Sequence, residues 1–262
     1  MALIQLDHVP ESIKVCQPAY IILPDPGQFH DIPLKKRKVL YLLHGLSDNG
    51  SVWQRYTGIE ALAHELDLIV IMPSFGRSFY INLPNGQRYF SYLTEELPQY
   101  LQDIFGITPL RKNTFIAGNS MGGYGAFKAA FQFPEKYAAA ASFSGVLSMQ
   151  IVNLLPDDPR KDEFRLTFGD LEKLVNSPHD PLTWLQTAAQ RSVRLPRLYM
   201  ACGKQDDLYP LNQQFFKTAL DLGIPVDYHE EANGRHDWAF WQRQIARFLK
   251  FVLPEGSQAN RY

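Results

Sequence analysis

Only two cysteines occur in 262 residues, Cys16 and Cys202, and they form neither a C-x-x-C pair nor a zinc-ligand spacing. A disulfide framework is therefore not expected, and Cys202, inside an apolar segment, reads as a small buried hydrophobe. An excess of either charge is missing too: 26 Lys and Arg face 27 Asp and Glu, a formal net charge of −1. That balance points to neither nucleic acid nor an anionic membrane as a partner. No apolar run is long enough to span a membrane. The opening residues Met1–His8 lack the basic start and apolar stretch of a signal peptide, so a soluble cytoplasmic protein is expected. None of the histidine pairs has metal-ligand spacing, and no metal is expected. Repeats and linkers are absent, and 45% hydrophobic content supplies one ample core. The chain is read as one domain over 1–262.

What is present is alternation. Segments near 2–8 and 15–23 read as an antiparallel pair of strands, closed by a turn at Pro24-Asp25-Pro26-Gly27. Val39–Leu43 and Leu68–Met72 are apolar throughout, as strands buried on both faces are. Ile59–Leu66 reads as a helix between them. Thr94 reads as the N-cap of a helix carrying Leu97, Leu101, Ile104 and Phe105 on one face, with Pro98 in its first turn. Further strands are expected at 114–117, 137–143, 198–202 and 226–229. Helices are expected after Ser120, over 211–222, and from Trp238, whose face carries Trp241, Ile245, Phe248 and Val252. The pattern predicts an α/β fold with a mostly parallel, doubly wound sheet. It breaks once, over 147–194, where Pro156, Pro159, Pro178 and Pro181 punctuate short helical pieces such as 169–176 and 182–190. That excursion leaves the ligand-binding edge of the sheet and reads as a small cap.

One motif carries chemistry. Gly118-Asn119-Ser120-Met121-Gly122 is a G-x-S-x-G sequence between an apolar strand and a small-residue helix. Strand, sharp turn and helix are the setting of a nucleophile elbow, in which glycines two residues either side admit the tight turn and the serine hydroxyl stands exposed. A serine hydroxyl needs a base, and the base needs an orienting group. His236, in the loop Ala232-Asn233-Gly234-Arg235-His236 before the last helix, is the candidate base, with Asp237 as that helix's N-cap. His229 lies inside a strand and is less suited to reach the serine. The acid is sought after the strand ending at Cys202, where Asp206 and Asp207 are adjacent; neighbouring side chains point apart, and Asp206 is chosen for its place in G-x-x-D. The Met121 N–H and, after His44-Gly45, the Leu46 N–H are the candidate oxyanion donors.

These pieces together resemble the esterase D-like branch of the α/β-hydrolases, most of all its bacterial tributyrin esterases, over nearly the whole chain. The resemblance rests on His44-Gly45-Leu46 with Asn49 and Trp53, on Met72-Pro73-Ser74, and on Tyr92-Leu93-Thr94-Glu95-Glu96-Leu97-Pro98. It continues through the serine motif, Cys202-Gly203 with Asp206, and Gly234-Arg235-His236-Asp237-Trp238. It implies a Ser120–Asp206–His236 triad with Leu46 and Met121 as oxyanion donors, no cofactor, and hydrolysis of short-chain acyl esters, small molecules. It also implies a homo-oligomer, which no residue pattern shows. Trp53, Tyr80, Tyr92, Phe168 and Trp184 could wall an acyl pocket or be ordinary core. Related S-formylglutathione hydrolases carry a cysteine-containing segment after the oxyanion loop; Ser47-Asp48-Asn49-Gly50 stands there instead, which argues against glutathione thioesters. Within enzymes the competing readings are a thioesterase or a carbohydrate-ester deacylase; outside them, a binding module that retains the fold.

Overall fold

The computed structural model describes residues 1–25, 37–108, 110–154, 158–191 and 193–253. Its centre is an eight-stranded sheet in the order β1-β2-β4-β3-β5-β6-β7-β8. The strands are β1 (Ala2–His8), β2 (Gln17–Leu23), β3 (Lys38–Leu43), β4 (Leu68–Pro73), β5 (Thr114–Asn119), β6 (Ala139–Phe143), β7 (Arg197–Gly203) and β8 (Val226–Glu231). β2 runs antiparallel to both β1 and β4; the remaining neighbours are parallel. This is the expected α/β-hydrolase architecture with an antiparallel N-terminal edge. The helices are α1 (Val52–Tyr56), α2 (Ile59–Leu66), α3 (Tyr89–Ser91), α4 (Leu97–Phe105), α5 (Met121–Gln132), α6 (Ile151–Leu154), α7 (Lys161–Phe168), α8 (Pro181–Gln190), α9 (Tyr209–Asp221) and α10 (Trp238–Val252). Among the described residues no helix is long and apolar enough to cross a membrane.

Side-chain alternation divides the interior into two cores. Val39, Tyr41 and Leu43 of β3 join Ile69 and Ile71 of β4 on the face covered by α4, α5, α8 and α9. Leu40, Leu42, Leu68, Val70 and Met72 point the other way, into the core shared with α1, α2 and α10. A strand buried on both faces needs apolar residues at every position, which is why these segments show no polar alternation. On α10, Trp241, Ile245 and Phe248 are buried, while Arg243 and Arg247 both pair with Glu231 at the end of β8.

Three local expectations are corrected. The helix expected to begin at Thr94 begins at Tyr89 and passes through a π-turn at Tyr92–Glu96 before α4. Thr94 caps nothing: its hydroxyl donates to the Phe90 carbonyl at 2.9 Å. Pro98 has no N–H to give the Thr94 carbonyl four residues back, and Lys136 Nζ supplies that bond instead at 2.6 Å. Ile104 lies outside the apolar face, 59% exposed. In the excursion, a helix forms at Lys161–Phe168, and only a single 3₁₀ turn, Leu171–Lys173, forms within 169–176. Of the turn proposed at Pro24–Gly27, Pro26 and Gly27 lie outside the described residues.

Candidate active site

β5 delivers Ser120 to the C-terminal edge of the sheet. The serine takes φ 53° and ψ −119°, a conformation L-residues rarely adopt, and α5 begins at the next residue. The turn that holds this strain is possible because both flanking positions are glycines, pressed against one another. A Cβ on Gly118 would lie 2.5 Å from the Gly122 carbonyl carbon, and one on Gly122 would lie 2.5 Å from the Leu43 carbonyl oxygen. Any side chain at either position would push the helix away from the strand and move the serine. Met121, as the first residue of α5, carries an N–H with no carbonyl one turn back within the helix to receive it.

The loop after β3 is fixed from three sides. The Trp53 indole donates to the Leu43 carbonyl at 2.9 Å, and the Tyr80 hydroxyl donates to the His44 carbonyl at 2.8 Å. His44, fully buried, sits between: its Nε2 accepts from the Phe75 N–H at 2.9 Å, so Nδ1 carries the proton and donates to the Gly45 carbonyl at 2.7 Å. Burial lowers its pKa to about 4, keeping the ring neutral in that tautomer. The Gly45–Leu46 peptide is planar and trans, so a carbonyl drawn toward His44 turns the Leu46 N–H the opposite way.

Asp206 and His236 come from adjoining loops. Gly203 and Gly234 are pressed backbone to backbone, and the Gln205 N–H donates to the Gly234 carbonyl at 3.0 Å. His236 Nδ1 then lies 2.9 Å from Asp206 Oδ2 and 3.1 Å from Oδ1. Burial pushes the Asp206 carboxyl up, but the His236 hydrogen bond and charge, the Ser144 hydroxyl and the Leu208 N–H outweigh it and hold it below its ordinary range. With Nδ1 engaged, His236 Nε2 has no partner among the described residues and is the nitrogen free to handle a proton. Asp207 is exposed. His229 stays in β8, paired with Asp227 and stacked on Tyr199.

The sheet edge steps these loops side by side: the Ser120 N–H donates to the Phe143 carbonyl, and the Ser144 N–H to that of Ala201. Ser144 escaped the sequence reading. It is fully buried with φ 50°, and its hydroxyl accepts from the Trp241 indole at 3.2 Å. Trp241 in turn meets the His236 ring edge-on at 5.0 Å. The available signal was topological, because Ser144 directly follows β6, between the strands that carry the serine and the aspartate. Among the described residues, no group of three or more His, Cys, Asp or Glu could hold a metal ion.

The five aromatics divide by location. Trp53 is packed against Phe143 and Trp238 in the α10-side core, and Tyr92 reaches His8 with its hydroxyl. Tyr80 braces the His44 loop as described. Phe168 and Trp184 belong to the excursion: Phe168 meets Phe79 at 5.1 Å, and Trp184 meets Tyr124, one turn past Ser120 on α5, at 5.1 Å. The segment is pinned at Asp180, whose buried carboxylate accepts from the Met149, Asn176 and Leu182 N–H groups. An Arg77–Glu163 ion pair adds a surface tie.

Known proteins resemble this chain over most of its length. Residues 15–252 match the family model named Esterase. An acetyl esterase of Caldicellulosiruptor saccharolyticus is 30% identical, covering 96% of this chain and 98% of its own. Among solved structures, FphF of Staphylococcus aureus, a fluorophosphonate-binding serine hydrolase, is 34% identical with a TM-score of 0.87, covering 97% of this chain and 99% of its own. An S-formylglutathione hydrolase (FrmB) from Staphylococcus aureus is 34% identical with a TM-score of 0.85, covering 96% and 98%. With the family model spanning most of its length, this chain belongs to the Esterase family, the esterase D-like α/β-hydrolases that its motifs resemble.

Proposed function

We propose that this esterase is a serine carboxylesterase acting on short-chain acyl esters through an acyl-enzyme on Ser120. The observation that carries the reading is the buried Asp206 carboxylate 2.9 Å from His236 Nδ1, in a chain whose serine stands on a strained strand-to-helix turn. His236 Nε2 takes the Ser120 proton as Oγ attacks the ester carbonyl. The negative charge that develops on the carbonyl oxygen is held by the Leu46 and Met121 N–H groups. Nε2 then returns the proton to the leaving alcohol, and water resolves the acyl-enzyme by the same base catalysis. Asp206 holds the imidazole in the Nδ1–H tautomer and stabilises the imidazolium. No step calls for a cofactor. The excursion over 147–194 caps the acyl side of the site, with Phe168 limiting chain length, and the protein works in the cytoplasm.

A thioesterase is the second reading, favoured by the likeness to an S-formylglutathione hydrolase. One experiment separates the two. Purified enzyme is given oxygen esters and thioesters of matched acyl length, with and without a fluorophosphonate, and the labelled peptide is mapped. The proposal expects oxygen esters of two to four acyl carbons to be preferred, by about ten-fold or more in kcat/KM, and the label to sit on Ser120. A thioester preference would favour the second reading; a label elsewhere would refute both.

A further inference from the structure

Asp48 stands in the loop after β3, and its carboxylate has no hydrogen bond or ion pair among the described residues. A Cβ built on Gly45 would lie 3.6 Å from Asp48 Oδ2 and 3.6 Å from Ser120 Cβ, so carboxylate and serine share one small neighbourhood. The residue's tie to the protein is through its backbone, the N–H donating to the Gly45 carbonyl at 3.2 Å. Half-burial pushes its carboxyl up, with no neighbouring cation to offset the cost.

Three other sheltered carboxylates are fully used. Asp180 accepts three backbone N–H groups, Asp206 takes His236 and Leu208, and Glu96 takes the N–H groups of Glu11 and Ser12. Asp48 alone of these keeps its acceptors open, with Oδ2 at most about 7 Å from Ser120 Cβ. In an empty site that charge works against the reaction, because negative charge must also develop on the substrate oxygen nearby. A donor brought by the substrate removes the conflict: it satisfies the carboxylate and screens its charge.

We propose that Asp48 sets substrate choice, its carboxylate accepting a hydrogen bond from a hydroxyl or ammonium group near the ester and turning away esters that carry a carboxylate. The inference deepens the esterase reading above and rests on it. It places polyol or amino-alcohol esters ahead of plain alkyl esters of the same size. The alcohol and the ammonium offer the same chemistry, a hydrogen-bond donor, and differ in charge.

The test uses four esters near neutral pH: 3-methylbutyl butyrate, its isostere 2-(dimethylamino)ethyl butyrate, protonated there and so carrying one N–H, the hydroxylated monobutyrin, and the anionic monoethyl succinate. In the wild type, kcat/KM for the cationic and hydroxylated esters should exceed that of the uncharged isostere by about ten-fold, as hydrogen bonds to a charged acceptor warrant, with the anionic ester lowest. Raising salt should shrink the advantage of the ammonium ester and leave that of monobutyrin, which separates charge from hydrogen bonding. Asp48→Asn should shrink the ammonium preference and raise the anionic ester by about ten-fold, while Asp48→Ala should abolish both preferences. Circular dichroism reports folding of both variants. Ratios near one in the wild type, or ratios unmoved in a folded variant, would overturn the proposal. Should neither variant fold, the wild-type salt series decides, and a cation advantage absent or indifferent to salt counts against it. A wild type inert toward all four esters, and no different from Ser120→Ala, would overturn the esterase reading and this inference with it.

Discussion

His44 Nδ1 lies 2.7 Å from the Gly45 carbonyl oxygen, while Nε2 of the same ring accepts from the Phe75 N–H. A neutral, buried imidazole, with the Asp48 N–H on the same carbonyl, thus holds the direction in which the Gly45–Leu46 peptide faces, and with it where the Leu46 N–H points. His44→Phe keeps much of the volume and removes both bonds. Loss of a whole oxyanion donor costs about 10²–10³ in kcat. A mis-aimed donor should cost somewhat less, about 10–10², with KM little changed. Steady-state kinetics on the folded variant check this, and an unchanged kcat would mean the loop holds its shape without the ring.

The two adjacent aspartates give a paired test. Asp206→Asn should lower kcat by about 10³–10⁴, because an amide can hold the imidazole in the wrong tautomer and cannot stabilise an imidazolium. Asp207→Asn, at an exposed position, should cost less than two-fold or so. Equal losses in both variants would remove Asp206 from its assigned role.

Acid should weaken the fold through groups buried without their charge. Burial lowers the pKa of His44 to about 4; for His179, burial and then the nearby Lys128 charge bring it to about 4. An unfolded histidine titrates near ~6.5, so between there and about 4 the unfolded chain binds protons that the folded chain refuses. Stability is therefore full above that range and falls as pH drops through it. Lys128, lowered to about 7 by burial, has the same sign at higher pH: stability rises from there toward ~10.4. Urea midpoints measured from pH 4 to 9 should rise with pH, and His179→Gln should flatten the acid limb. A midpoint that rises on acidification would contradict these assignments.

Two aromatics of the excursion should separate function from stability. Phe168 is half-buried against Phe79, and Phe168→Ala should broaden acyl chain-length preference, each added methylene gaining about 0.8 kcal/mol of burial. Trp184 is 6% exposed, packs on Tyr124 and donates its indole N–H to the Pro178 carbonyl. Trp184→Ala should instead cost stability, about 3–5 kcal/mol for a large core aromatic. Chain-length profiles and urea midpoints of both variants decide; an unchanged profile for Phe168→Ala would make the segment peripheral to the acyl site.

The sheet was legible because strands buried on both faces must be apolar at every position, as β3 and β4 are. The elbow was legible because its two glycines answer a backbone collision that any side chain would worsen. The start of the helix at Tyr89 was not: it follows Arg88, which makes no side-chain cap, and the carbonyl that Pro98 leaves open beside the π-turn is taken by Lys136, distant in sequence. Ser144, Tyr80 and His44 act through bonds to residues 31, 36, 62 and more positions away or to their own loop's backbone, and short-range patterns carry no trace of such pairings. The stretch 169–176 reads as helical by composition, yet Gly169 ends α7 at φ 83° and leaves a single 3₁₀ turn after it.

The most direct test of the account is the rate of Ser120→Ala on a short-chain ester such as p-nitrophenyl butyrate. The substitution removes one hydroxyl and leaves the turn, the helix and both proposed oxyanion donors in place. A folded variant should lose about 10⁴–10⁶ in kcat and release no burst of product. A folded Ser120→Ala protein that turns over the ester at the wild-type rate would contradict the nucleophile, and with it the mechanism built on Asp206 and His236.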